Sequence, residues 1–274
     1  MIRFQDQNKL IMELTLYQVD AFTSKLFGGN PAAVCILEEW LEDHIMQSIA
    51  NENNLSETAF AVREEERYLI RWFTPKVEVD LCGHATLATA HVLFEHLGHP
   101  SGTVEFYSIH SGKLIVEKSG DRLVMDFPAD TLEEISIPAD VVAALHKTPV
   151  KAFKGRSDYM MVYASQSEIE SMRPDFGLLG ALGGRGVIVT AMGRDTDFVS
   201  RFFAPQTGIN EDPVTGSAHT TLTPYWSRVL GRKRLTTRQI SFRGGELICE
   251  DHGRRVKISG KAVTYMVGEI YIHT

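Results

Sequence analysis

The stretch CGHATLATAHVLFEHLG, residues 82–98, decides the fold, because it aligns without a gap on TGSAHTTLTPYWSRVLG, residues 215–231. Four of the 17 positions are identical, and they stand at the two ends: a Gly and an Ala at the start, Leu-Gly at the close. Ahead of each copy lies a matching strand, RWFTP (71–75) before the first and RFFAP (201–205) before the second. Gly83 follows Pro75 by eight residues, and Gly216 follows Pro205 by eleven. A strand, a loop and a helix repeated in the same order point to a duplicated unit. The alternative is two separate strand-loop-helix units meeting similar packing needs. The chain's 274 residues agree with duplication, since about 150 residues per domain gives nearly two domains.

Working outward from the repeat, alternating and apolar runs predict strands over 14–22, 32–37, 57–62, 68–73, 103–107, 113–118 and 122–127. Helices are predicted over 41–53 and from Gly83 to a C-cap at Gly98. Pro128 and the acidic stretch after it mark a boundary. The second half predicts strands over 159–164, 187–191, 198–203, 239–243, 256–260 and 262–272, with helices over 166–172 and 216–230. The reading is an α+β chain with domains at 12–127 and 128–263. Residues 1–11 are polar and unpatterned and end just before Met12, so they read as an extension the fold can lose.

Composition excludes several function classes. With 35 acidic against 28 basic residues, a net charge of −7 leaves no basic excess to release counterions from a nucleic acid. Cys35, Cys82 and Cys249 are too few and scattered for a disulfide framework, and none lies in a C-x-x-C pair, which fits a reducing cytoplasm. The longest apolar run, residues 31–37, is far below the roughly 20 residues of a membrane span. G-x-S-x-G, G-x-x-x-x-G-K and H-E-x-x-H are missing from the sequence. His84 and His91 share a helix face, but no acidic residue completes a metal set at helical spacing, and His91 reads as core packing. Gly28-Gly29 and Gly183-Gly184 read as turns. No metal and no organic cofactor is expected.

Duplication would set two loops, 78–84 and 210–217, facing each other across a cleft. Each feeds a helix start, where free N–H groups and the positive dipole end favour anions. An acidic chain can therefore hold a small carboxylate. Four features gather at these loops. Glu57, in NLSETAF, stands where a loop enters an apolar strand, and desolvation there would raise its pKa toward the general acid/base range; a solvated strand-end glutamate is the plain alternative. His84 lies on the first helix start, where the dipole favours a neutral imidazole. Asp212, in NEDPVTGSA, reads as a site or capping carboxylate. Ser217 and Gly216 open the second helix, in a capping or a ligand role.

Together YQVDAFTSKLFGGNPAAV, NLSETAF, FTPKVEVDLCGHATLATAHVL and NEDPVTGSAH resemble the PhzF-like family of phenazine-biosynthesis isomerases, in order from about residue 14 to the C-terminus. The resemblance implies a diaminopimelate epimerase-like fold: two pseudo-symmetric domains, each a curled sheet or barrel around a central helix, with strand 264–274 returning to the first. It implies Glu57 as the acid/base, and His84 and Asp212 as orienting residues lining the site. Gly83, Gly216 and Ser217 would surround a substrate carboxylate, and Asn30 of GGNP would form part of the wall. It implies a small-molecule carboxylate substrate and a homodimer. One departure stands out. Epimerase relatives carry a cysteine before the glycine of both helix starts, whereas here Cys82 faces Thr215, which argues against a two-base racemase. An epimerase working with Cys82, or a ligand-binding protein without catalysis, are the rival readings.

Overall fold

The computed structural model describes the backbone of residues 2–4 and 10–273. Of the 1–11 stretch expected to be dispensable, residues 1 and 5–9 lie outside the described residues. The chain divides into two compact units: one of residues up to Phe27, Pro31–Leu123 and Ala262 onward, the other of Gly28–Asn30 and Val124–Lys261.

The first unit contains β1 (Ile2–Phe4), β2 (Leu10–Ala21), β3 (Asn30–Leu37), α1 (Asp43–Asn53), β4 (Glu57–Glu64), β5 (Arg67–Phe73), β6 (Glu78–Val79), α2 (Gly83–Glu95), β7 (Thr103–Ser108) and β8 (Gly112–Ser119), and β9 (Arg122–Pro128) leads out of it. β2 begins four residues earlier than its alternating pattern predicts, because its start pairs with β1, Met12 standing opposite Ile2. The C-terminal strand Ala262–His273 runs antiparallel to β2, from Ala262 opposite Ala21 to His273 opposite Ile11.

The second unit contains β10 (Glu133–Ile135), α3 (Ala139–Leu145), β11 (Lys151–Lys154), β12 (Asp158–Val162), α4 (Gln166–Glu170), α5 (Phe176–Gly180), β13 (Gly186–Met192), β14 (Phe198–Ala204), β15 (Ile209–Asp212), α6 (Ala218–Leu230), β16 (Arg234–Gln239), β17 (Gly245–Asp251) and β18 (Arg255–Gly260). Elements such as β10, α3 and α5 are too short to leave a readable period in the sequence.

The strand pairings of the first unit recur in the second. β3 pairs parallel with β4, β4 antiparallel with β5, β5 antiparallel with β6 and parallel with β7, and β7 antiparallel with β8. The corresponding run is β12 parallel to β13, β13 antiparallel to β14, β14 antiparallel to β15 and parallel to β16, and β16 antiparallel to β17. The repeat read from the letters is therefore a repeat of topology.

Each sheet curls around its own helix. α2 is buried on all its faces from Ala85 to Ala90, which only a helix enclosed by sheet can satisfy. Its threonines are tolerated there because Thr86 and Thr89 donate their hydroxyls to the carbonyls of Cys82 and Ala85, each at 2.7 Å. In the second unit Trp226 of α6 stacks on Phe198 of β14 at 5.7 Å, and its indole N–H donates to Thr190 Oγ1 at 2.9 Å. Both helices have 13 residues, but α6 starts at Ala218, two residues past the predicted Gly216. α6 closes on Gly231 at φ 63°, whereas the C-cap of α2 is His96, and Gly98, at φ 61°, lies two residues further on.

The matched arginines of RWFTP and RFFAP do the same work in both units. Arg71 donates from Nε and Nη2 to both carboxylate oxygens of Glu78, at 2.7 Å each. Arg201 grips Glu211 likewise, at 2.7 and 2.8 Å. Each guanidinium also lies over a phenylalanine two residues on, Phe73 at 5.1 Å and Phe203 at 4.8 Å. The pair ties each long strand to the short strand that delivers the chain to the helix start.

Candidate active site

Glu57 is the first residue of β4, opposite Ala32 of β3. The strand behind it, Thr58 to Ala61, is buried throughout, so the carboxylate sits at the mouth of an apolar strand with its side chain 13% exposed. α2 brings His84 to it: Nε2 stands 3.1 Å from Glu57 Oε2. On the other edge of the same ring, Cys82 Sγ lies 3.5 Å from His84 Nδ1. One imidazole thus bridges a thiol and a carboxylate.

The electrostatics reverse one expectation. Burial by itself pulls the His84 imidazole down. The sulfur of Cys82 and the Glu57 carboxylate outweigh that burial, and they hold the ring well above its ordinary value. That direction runs against the neutral histidine expected from the helix dipole. Cys82 is driven the other way, up to about 11, by burial and then by the Glu57 charge. At neutral pH it is a buried thiol.

In the second unit Asp212 is the last residue of β15. Asn30, fully buried, donates its amide to Asp212 Oδ1 at 2.8 Å and to the Val214 carbonyl at 2.9 Å. Asn30 therefore stands behind Asp212 and holds it. Thr215, the residue in place of a second cysteine, donates its hydroxyl to Asp212 Oδ2. Its backbone N–H donates to Gln239 Oε1 at 2.8 Å, and Gln239 Nε2 donates to the Asp212 carbonyl at 2.7 Å. A threonine committed as donor to a carboxylate offers no base.

Ser217 makes no side-chain cap on α6. Its Oγ accepts instead from Arg185 Nη1 at 2.9 Å, while Arg185 Nε donates to the buried Asp158 at 2.9 Å. Arg185 also lies over the Phe202 ring at 5.1 Å. The sequence reading missed Arg185, Gln239 and the holding role of Asn30. The signal available for Arg185 was its place in the glycine-rich GGRG, immediately before an apolar strand. Both flanking glycines are needed: Gly184 has φ 92°, and a Cβ on Gly186 would come within 2.4 Å of the Phe202 ring.

His91, read as core packing, hydrogen bonds through Nε2 to Thr264 Oγ1 at 2.9 Å, tying α2 to the C-terminal strand. His219 of α6 hydrogen bonds through Nδ1 to the Thr215 carbonyl at 2.9 Å, and burial pushes its imidazole down to about 4. A depressed histidine stabilises the fold fully above its unfolded value of about 6.5 and progressively less as the pH falls toward the folded value. Melting temperature is therefore expected to drop between about pH 6.5 and 4, with a shallower slope in His219→Gln. Equal slopes in the two proteins would refute this origin of acid lability.

Comparison with known proteins agrees with this architecture. The profile of the phenazine biosynthesis-like protein family (PhzC-PhzF) matches residues 19–268. An uncharacterised isomerase of Pseudomonas aeruginosa is 51% identical, over 95% of this chain and the whole of that protein. The crystal structure of a PhzF-family phenazine biosynthesis protein from Enterococcus faecalis superimposes with a TM-score of 0.93 at 49% identity, covering 95% of this chain and all of that one. A hydroxyproline epimerase from Agrobacterium vitis, 10% identical with a TM-score of 0.60 and coverage of 95% and 93%, shares the fold. Among the described residues no helix is long and apolar enough to cross a membrane.

Proposed function

The chain belongs to the phenazine biosynthesis-like (PhzC-PhzF) family and is an isomerase, and from that premise we propose that it moves a proton from one carbon to another of a small carboxylate-bearing metabolite, with Glu57 as the acid/base. The observation that carries this reading is the 3.1 Å contact between Glu57 and His84 at the mouth of a buried strand. A carboxylate beside a proton-favouring imidazole takes a proton from carbon and returns it elsewhere, and the imidazole steadies the charge as it comes and goes. His84 and Asp212 orient polar substituents of the substrate, Asp212 being held for that role by Asn30 and Thr215. Gly83, Gly216 and Ser217 bind the carboxylate and stabilise developing negative charge. No cofactor takes part in this scheme, and the protein works in the cytoplasm as a homodimer.

The rival reading, an epimerase with Cys82 as base, is disfavoured by a thiol raised to about 11 and by a threonine already committed to Asp212. Incubating the protein in deuterated water with a panel of small unsaturated and cyclic carboxylic acids tests the proposal. Deuterium incorporation into a shifted double-bond product, retained in Cys82→Ser, is the expected outcome. Exchange with inversion at a single carbon that disappears in Cys82→Ser would establish the epimerase. A panel that binds without exchanging would establish a ligand-binding protein.

A further inference from the structure

We propose that the turn of residues 239–244, between β16 and β17, is a clasp that sets Asp212 against Asn30, with Gln239 and Arg243 as positioning residues. This role rests on the reading of Asp212 as an orienting residue, and it adds two side chains that touch no substrate. Gln239 is 1% exposed and holds the Asp212 side of the pair. Its Oε1 accepts from the Thr215 N–H at 2.8 Å, and its Nε2 donates to the Asp212 carbonyl at 2.7 Å and to Thr215 Oγ1 at 3.2 Å. A hydroxyl carries one proton and two lone pairs. With a lone pair of Thr215 Oγ1 facing the Gln239 amide, its proton is directed at Asp212 Oδ2. Two residues on, Ser241 Oγ accepts from the Gly244 N–H at 3.1 Å and donates to the Pro213 carbonyl at 2.7 Å. The backbone on both sides of the Asp212 carboxylate's anchor point is thus bonded to this turn.

Arg243 holds the other side. Its Nε donates to the Gly29 carbonyl and its Nη2 to the Gly28 carbonyl, both at 2.9 Å, while the Gly29 N–H donates to the Gly244 carbonyl at 2.7 Å. A guanidinium offers its donors in a fixed planar fork and so grips both carbonyls at once, whereas a lysine ammonium is a point charge on a flexible stem. The next residue is Asn30, whose amide donates to Asp212 Oδ1 and to the Val214 carbonyl. Gly28–Asn30 accordingly belongs to the second unit, although the residues on either side of it belong to the first. Ile240 packs on the core of the second unit, but Phe242 at the tip of the turn is fully exposed, so polar contacts set how the turn lies. Each oxygen of the Asp212 carboxylate therefore has a donor fixed by the same turn. Oδ1 is reached through Arg243 and Asn30, and Oδ2 through Gln239 and Thr215.

Two readouts on the full chain test the clasp. In protein labelled at asparagine with heavy nitrogen, hydrogen exchange of the Asn30 side-chain amide reports its bond to Asp212 without any turnover; loss of the signal in Asn30→Ser identifies it. Deuterium incorporation into the panel acid that the wild type turns over reports the chemistry. Arg243→Gln is expected to speed exchange of the Asn30 amide by about tenfold or more, since a buried bond is then free to open. Arg243→Gln and Gln239→Met should each lower deuterium incorporation by about ten- to a hundredfold, mainly in kcat, as a misplaced orienting group does. Arg243→Lys should restore only part of the loss, and it stands in where Arg243→Gln does not fold. In an Asp212→Asn background neither substitution should cost more than about a further twofold, because the carboxylate through which both act is already gone. Arg238→Gln, at an exposed position on the other face of β16, should leave both readouts unchanged. An Asn30 amide as protected in Arg243→Gln as in the wild type overturns the clasp. So does wild-type turnover in a folded Gln239→Met or Arg243→Gln protein, or a loss that persists at full size in the Asp212→Asn background. A wild type that turns over no acid of the panel sinks the isomerase reading instead, and exchange of the Asn30 amide then decides the clasp alone.

Discussion

Glu57→Gln is expected to lower proton exchange into substrate by about two to four orders of magnitude, the range that a positioned general acid or base contributes. Glutamine keeps the size of the side chain and an oxygen to face His84 Nε2, so the strand mouth and the helix start stay in place. What is lost is the ability to take a proton. A barrier rise of about 3–5 kcal/mol corresponds to that loss of rate. Melting temperature should change little by comparison, because the exchanged group stands at the rim of the core and still accepts a hydrogen bond. Deuterium wash-in measured side by side with thermal unfolding separates the two effects. Exchange within a few-fold of wild type in a folded Glu57→Gln protein would remove Glu57 from the chemistry.

The largest stability effect is expected at the Arg–Glu pair of the second unit. Arg201 is nearly buried: its side chain is 11% exposed, its Nη1 donates to the carbonyls of Ile169 and Met172 at 3.0 Å, and Glu211 carries its balancing charge. Glu211→Ala strands a guanidinium that can neither lose its proton nor reach bulk water, at a cost of about 3–5 kcal/mol. Melting should fall by about 10 °C, at about 2–4 °C per kcal/mol for a protein of this size. Glu78→Ala in the first unit should cost distinctly less. Arg71 there also donates to Asp43 at 2.8 Å, and Asp43 is 76% exposed, so the guanidinium keeps a carboxylate and a path to water. Equal losses in the two variants would show that burial of the arginine is not the cause.

The same two arginines show how far letters alone carry. Arg71 and Arg201 align in the primary sequence, together with the apolar residues that bury beside them. Their glutamates stand seven and ten residues downstream, each five residues before the glycine of its helix start, but that each pairs with its arginine appears only once the strands are folded. Most of the long strands and the two central helices were legible because burial leaves a period of two, or a continuous apolar run, in the chain; β16 and β17 were not, the strand expected over 239–243 being the turn between them apart from Gln239. The short elements were not, since three to seven residues hold at most two turns of a helix or one alternation of a strand. Gly98 misled for a related reason: a glycine near a helix end marks the left-handed turn but not which residue closes the last hydrogen bond.

At the site, residue types were readable and partnerships were not. Glu57, His84, Asp212 and Ser217 could be singled out by their places at a strand mouth and two helix starts. Cys82 could be weighed against Thr215. Which of them touch was decided by strand pairing and helix placement. These contacts bring Glu57 to His84 across 27 positions of chain, Arg185 to Ser217 across 32, and Asn30 to Asp212 across 182. The direction in which the His84 imidazole is shifted follows its partners, Cys82 and Glu57.

By itself the sequence determined that a unit is duplicated, that each copy buries one helix, and which polar side chains interrupt apolar segments. Hydrophobic burial is a local property, written in every few residues. Only the tertiary structure decided that one imidazole links a thiol to a carboxylate, that the second would-be base is a tethered threonine, and that an arginine from a glycine-rich turn holds Ser217. Hydrogen bonds and ion pairs act over about 3 Å, and which groups come that close is settled only when distant strands have found their register.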